Sequence, residues 1–180
     1  RLREFRKVSK YADIIIVTKC PERLTEKERD DIIDKIAPLP SQELFFSTIK
    51  YNKPTPLNEL SKNIILNSKT PVIAIAGIAD PEPFFQELLK RFELVRNYQF
   101  RDHYHFKKQD VENIIQENRL IIEEGAIFIT TDKDATRLLS NKTKKIVSLH
   151  PFFTLPIRVE ILFNEEEKLL KKIDSYVTKN

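Results

Sequence analysis

The sequence predicts an α/β protein with a mostly parallel sheet and flanking helices. Two observations carry this. Apolar stretches of strand length alternate with amphipathic stretches of helix length along almost the whole chain. The intervening helices are also long enough to return the chain to a parallel neighbour through right-handed crossovers.

In order, residues 12–18 read as an apolar strand, broken by Cys20-Pro21-Glu22. Thr25-Glu26-Lys27-Glu28 is a capping box, with Thr25 as N-cap of a helix that runs to about Ala37 and stops at Pro38. Residues 43–50 alternate as a second strand. Residues 51–70, with Pro54, Pro56 and scattered asparagines, read as a linker or hairpin, in which Ile64-Ile65-Leu66 has the character of a short strand. Residues 72–77 form a buried strand, and 81–91 a helix with Asp80 as N-cap and Pro81 at its first position. A strand at 94–100 precedes a long helix at 107–122, whose Val111, Ile114, Ile115 and Leu120 recur at helical spacing. Gly125 turns the chain into a strand at 126–131, followed by a short helix at 132–140 and a strand at 145–149. A last strand at 157–163 leads through Asn164, as cap, to a final amphipathic helix.

Composition narrows the functional classes. No apolar run approaches the roughly 20 residues needed to cross a bilayer, and no signal peptide is visible. The single cysteine, Cys20, excludes an internal disulfide and suits a reducing compartment. The absence of methionine reads as part of a longer chain. Only two glycines, Gly77 and Gly125, are present, far apart. A phosphate-cradling loop needs several close together, so the sequence contains no P-loop and no dinucleotide fingerprint. The net charge of +4 is modest. Basic residues gather at Arg1, Arg3, Arg6, Lys7 and Lys10, and at Lys142, Lys144 and Lys145, which suits anionic headgroups or ordinary solvated surface. No aromatic interleaving accompanies them, so no nucleic-acid partner is expected.

Four motifs fall where open α/β sheets place ligands, at strand ends. Asp102-His103-Tyr104-His105-Phe106 combines an acid, two imidazoles and two aromatics, and imidazole transfers protons near neutral pH. The same residues suit a loop histidine bound to a backbone carbonyl, with Tyr104 and Phe106 in the core. His-x-His without a further nearby ligand is poor evidence for a metal, and no metal-ligating residue is assigned. Thr130-Thr131-Asp132-Lys133-Asp134 ends a strand and opens a helix, which serves either simple capping or anion binding. Val17-Thr18-Lys19-Cys20-Pro21 and Ala76-Gly77-Ile78-Ala79-Asp80-Pro81 are two more strand-end turns. Gly77 fits a tight turn or the close approach of a ligand.

Taken as an ordered set, with Phe84-Phe85 and Phe100-Arg101 beside them, these motifs resemble the tetraacyldisaccharide 4'-kinases, the lipid A kinases of Gram-negative bacteria. The likeness spans roughly residues 1–150, and the glycine-poor, lysine-rich texture resembles Bacteroidetes members. Two positions depart from the family pattern: Arg101, commonly proline, and Asp132, commonly glutamate. Neither breaks the chemistry that follows.

The resemblance implies a two-domain P-loop-type kinase that uses ATP and Mg²⁺ to phosphorylate the 4'-hydroxyl of a lipid disaccharide at the cytoplasmic face of the inner membrane. This chain would be its C-terminal part, inactive alone, with ATP and Mg²⁺ held mainly by the part before it. Residues 1–50 would complete the nucleotide domain, 51–70 connect, 71–150 form a smaller α/β domain, and 151–180 add a strand and helix returning to the first. His103 would pair with an aspartate from the preceding part, supported by Asp102. Thr18 and Lys19 would lie at the nucleotide edge, and Gly77, Tyr104, Lys133 and Asp134 along the substrate cleft. The rival readings are a non-catalytic α/β module that grips a sugar or phosphate, and a basic membrane adaptor acting through residues 1–10.

Overall fold

The computed structural model describes residues 6–178, so Arg1 and Arg3 of the basic stretch lie outside the described residues. In chain order the strands and helices are β1 (Ile14–Val17), α1 (Glu26–Ile36), β2 (Glu43–Tyr51), β3 (Thr55–Pro56), β4 (Pro71–Ala76), α2 (Glu82–Arg91) and β5 (Glu93–Gln99). They continue with α3 (Lys108–Glu117), α4 (Arg119–Glu123), β6 (Ile127–Thr131), α5 (Asp132–Leu138), α6 (Lys144–Val147), β7 (Phe152–Leu155), β8 (Ile157–Ile161) and α7 (Glu166–Val177). The chain divides into two compact units, Arg1–Lys50 with Arg158–Asn180, and Tyr51–Ile157.

The first unit holds a three-stranded sheet in the order β1-β2-β8, with β1 and β2 parallel. Helix α1 starts at the expected capping box: Thr25 accepts from the Glu28 N–H and Glu28 reaches back to the Thr25 N–H. Phe46 packs edge-on against Phe163, and the Arg29 guanidinium stacks over Phe163 at 4.3 Å while bonding Glu165 at 3.2 Å. Glu43 receives Lys168 and Lys172 from α7, whose ammonium groups hold its carboxyl below the usual range.

The second unit is a five-stranded sheet in the order β3-β7-β6-β4-β5, parallel except for the β3–β7 pair. Alternate residues of the central strands serve two cores. Val72, Ala74, Ala76, Ile127 and Ile129 meet Phe84, Phe85 and Leu88 of α2 on one face. Ile73, Ile75, Phe128 and Phe152 meet Val111, Ile114, Leu138 and Val147 on the other. Burial on both faces is why β4 and β6 read as unbroken apolar runs. Each fully buried Ile, Leu or Phe contributes roughly 1.5–3 kcal/mol.

Several local expectations give way to tertiary structure. Residues 145–149 form no strand but the end of a short helix and a turn: Thr143 donates to the Leu138 carbonyl, and Val147 turns into the core. The neighbouring strand is β7. The predicted long helix breaks at Asn118, whose side-chain amide donates to the Ile114 carbonyl and to the Tyr98 hydroxyl. Asp80 does not cap α2; Pro81 holds the N-cap position and the helix opens at Glu82. Asn164 is likewise displaced as cap of α7 by Glu165. Residues 64–66 form no strand. The segment 51–70 instead supplies β3, a buried Ser61 bonded to the Phe152 carbonyl, and Asn58, which donates to the carbonyls of Val147 and His150.

Candidate functional site

The strand order of the second unit creates a crevice. From β4 the chain steps to β5 on one side, then crosses back to place β6 on the other side of β4. Connections leaving the carboxyl ends of β4 and β6 therefore diverge, which is where parallel sheets take their ligands. Gly77 follows β4, Asp102 and His103 follow β5, and Thr131 to Arg137 follow β6.

These ends are joined through one carboxylate. Asp134 is fully buried. Its Oδ2 accepts from the Gly77 N–H and from the Thr131 hydroxyl, both at 2.8 Å, and its Oδ1 accepts from Arg137 Nη1 at 2.7 Å. Thr131 also caps α5 by accepting from the Asp134 N–H. Space beside Asp134 is tight: a Cβ on Gly77 would stand 3.2 Å from Asp134 Oδ1 and 3.2 Å from Tyr104 Cβ. The close approach of the loop and the carboxylate leaves little room there for any side chain. Asp134, expected along the cleft, thus sits beneath it with both oxygens engaged by protein.

His103 stands above this base. Its N–H donates to the Gly77 carbonyl at 3.1 Å and to Asp102 Oδ1 at 2.9 Å. Its backbone is left-handed, φ 57°, which costs a non-glycine residue about 1–3 kcal/mol and persists only where surroundings hold it. The side chain is 79% exposed, so the ring faces solvent rather than apolar packing. Arg137 Nη2 lies 3.1 Å from Nδ1, and Asp102 Oδ2 lies 3.7 Å from Nε2. Arg137 is the site residue that sequence reasoning misses; an arginine three residues after an aspartate on a helix is ordinary surface spacing.

The other candidates fall into place around it. Tyr104 packs with Phe100 and Phe106, ring centroids 4.7 to 5.4 Å apart. Its hydroxyl donates to Asp110 Oδ2 at 3.0 Å, and that carboxylate holds the phenol above its usual range. Tyr104 therefore buttresses the loop as a fixed donor. Lys133 is exposed on the first turn of α5, and His105 is exposed. Thr18 and Lys19 belong to the first unit, exposed at the end of β1, with Lys19 at φ 59°. Cys20 beside them is buried, its N–H bonded to the Ser47 carbonyl, as a packing residue should be.

His150 lies at the opposite end of the sheet, before β7. There burial lowers its pKa, and it lines a groove of about 380 Å³ with Ile115, Ile146 and Leu149. Among the described residues no group of three or more His, Cys, Asp or Glu side chains is placed to hold a metal ion, and no helix is long and apolar enough to cross a membrane.

Comparison with known proteins adds a family to this geometry. The tetraacyldisaccharide 4'-kinase of Bacteroides thetaiotaomicron is 33% identical over 193 residues, covering 100% of this chain and 50% of its own length. That of Flavobacterium johnsoniae is 33% identical over 179 residues, covering 99% and 49%. The chain thus spans about half the length of the curated relatives it matches. The fold is shared with a crystal structure of LpxK from Aquifex aeolicus in complex with ATP, at a TM-score of 0.53 and 21% identity, over 98% of this chain and 46% of that one. The family model described as tetraacyldisaccharide-1-P 4'-kinase matches residues 1–178, and the chain belongs to that family.

Proposed function

We propose that this chain is the C-terminal region of a kinase that transfers the γ-phosphate of ATP to the 4'-hydroxyl of a tetraacyldisaccharide 1-phosphate. Family membership and the activity for which the relatives are named support the reaction class. The observation that carries the mechanism is the exposed, oriented imidazole of His103 at the carboxyl ends of the parallel strands.

Phosphoryl transfer asks mainly for alignment and charge stabilisation. The sugar 4'-oxygen attacks the γ-phosphorus, an O–P bond forms, and the bridging P–O bond breaks with its electron pair leaving on ADP. The hydroxyl proton passes to a carboxylate supplied from outside these residues. His103 holds that carboxylate through Nε2, orienting it as general base. Asp102 contributes by fixing the backbone of His103.

Gly77 and Lys133 border the cleft, and Thr18 and Lys19 flank the nucleotide. ATP contacts belong mainly to the part of the full-length relatives that this chain does not span. The ligands of Mg²⁺ belong to that part too. Acyl chains on the substrate call for work at a membrane surface, which supports a place at the cytoplasmic face of the inner membrane.

In the full-length enzyme, His103→Ala should lower kcat by about 10²- to 10⁴-fold, the usual contribution of positioned proton-transfer groups. The melting temperature should hold, because the ring is exposed. Phosphorylation of the lipid disaccharide at an undiminished rate would overturn the assignment.

A further inference from the structure

Arg137 has no part in the phosphoryl transfer itself, yet among the described residues it is the only side chain bonded to His103 Nδ1. We propose that Arg137 is a positioning residue that fixes His103 as the Nε2–H tautomer, and so decides which ring nitrogen meets the reaction. This rests on the reading of His103 as a catalytic group.

The reason lies in donors and acceptors. A guanidinium has five N–H donors and no acceptor, so a ring nitrogen that pairs with it must present a lone pair. Arg137 Nη2 stands 3.1 Å from Nδ1, which leaves the proton of the neutral ring on Nε2. Nε2 in turn lies on the side of Asp102 Oδ2, 3.7 Å away, where a carboxylate would accept from it.

The guanidinium is itself held. Nη1 donates to Asp134 Oδ1 at 2.7 Å and to the Gly77 carbonyl at 3.2 Å, and the Asp134 carboxylate is anchored by Gly77 and Thr131. The planar fork spans the buried acid with one nitrogen and the exposed imidazole with the other. A lysine ammonium, a single point of charge, holds both less well. Asp134 offsets the arginine charge, so what reaches His103 is chiefly direction. The charged groups facing the ring are Asp102 from its own loop and Arg137 from α5, with Asp134 behind it.

The test uses the full-length enzyme with ¹⁵N-labelled histidine, the His103 signals being assigned by their loss in His103→Ala. In the parent enzyme, Nδ1 should show the shift of an unprotonated ring nitrogen and Nε2 that of a protonated one. Arg137→Met should mix the two tautomers and lower kcat about 10- to 100-fold, by analogy with the loss when partners that orient metal-ligating imidazoles are removed. The KM for ATP should stay unchanged. Arg137→Lys, which keeps a donor and the charge, should recover part of both the signature and the rate, and it serves as the second variant if Arg137→Met folds poorly. An unaltered tautomer signature and kcat in Arg137→Met, with His103→Ala inactive, would overturn the proposal and leave the catalytic reading standing. Full activity in His103→Ala would remove the catalytic reading instead, and with it the positioning role of Arg137.

Discussion

Two strand ends in this molecule look alike in sequence and differ in what lies beneath them. After β1, Thr18 and Lys19 turn the chain with Lys19 at φ 59°, and after β5, Asp102 and His103 do so with His103 at φ 57°. At the first turn, the Cys20 N–H bonded to the Ser47 carbonyl and the Ser47 hydroxyl bonded to the Val17 carbonyl hold the backbone. At the second, a fully buried carboxylate joins the ends of β4 and β6, and an arginine carries its anchorage out to a surface ring after β5. A polar residue at a strand end is therefore cheap to place. Holding its side chain in one direction takes a second layer.

Asp134→Asn strikes that layer directly and should show the largest effect. The amide can accept from only some of the three donors and turns its own N–H groups toward another. Removing one partner of a buried ion pair costs about 3 kcal/mol, to be read as a lower denaturation midpoint, together with a loss of kcat. Stability equal to that of the parent would mean that the buried acid does not set the two strand ends apart. Next comes Gly77→Ala, whose methyl group must displace Asp134 or Tyr104. We expect a loss of about 1–3 kcal/mol by chemical denaturation, as for other overpacked interiors. The smallest effects come from relieving the two left-handed residues. Lys19→Gly and His103→Gly should each change stability by no more than about 1 kcal/mol, in the favourable direction. Their activities should part: His103→Gly loses turnover, whereas Lys19→Gly keeps kcat and alters at most the KM for ATP. Equal losses in kcat would put the catalytic burden on both turns.

How much of this is legible in the sequence follows from what each residue depends on. Strands β4 and β6 and the capped start of α1 announce themselves, because uninterrupted burial and a reciprocal cap are local patterns. Helix α6 reads as a strand since four residues are too few for periodicity to distinguish the two; Thr143 and the packing of Val147 decide it. Strand β3 pairs with residues about a hundred positions away, and nothing in Thr55-Pro56 foretells the partner. At the site, the motifs locate Gly77, His103 and Asp134, but not that Asp134 is buried or that Arg137 reaches the ring. Both facts arise only when the crossover between β5 and β6 brings distant turns together.

The two margins of the five-stranded sheet carry a consequence of their own. Its inner strands are oily enough to join any other ribbon of like kind, and chains with such segments tend to clump. Along one margin lies β3, two residues long and ending in Pro56, which offers a newcomer hardly any ladder. Along the other, β5 turns Glu93, Arg96, Asn97 and Gln99 outward. Neither border offers an incoming strand a long apolar ladder, and both follow the devices by which sheets discourage edge-to-edge pairing.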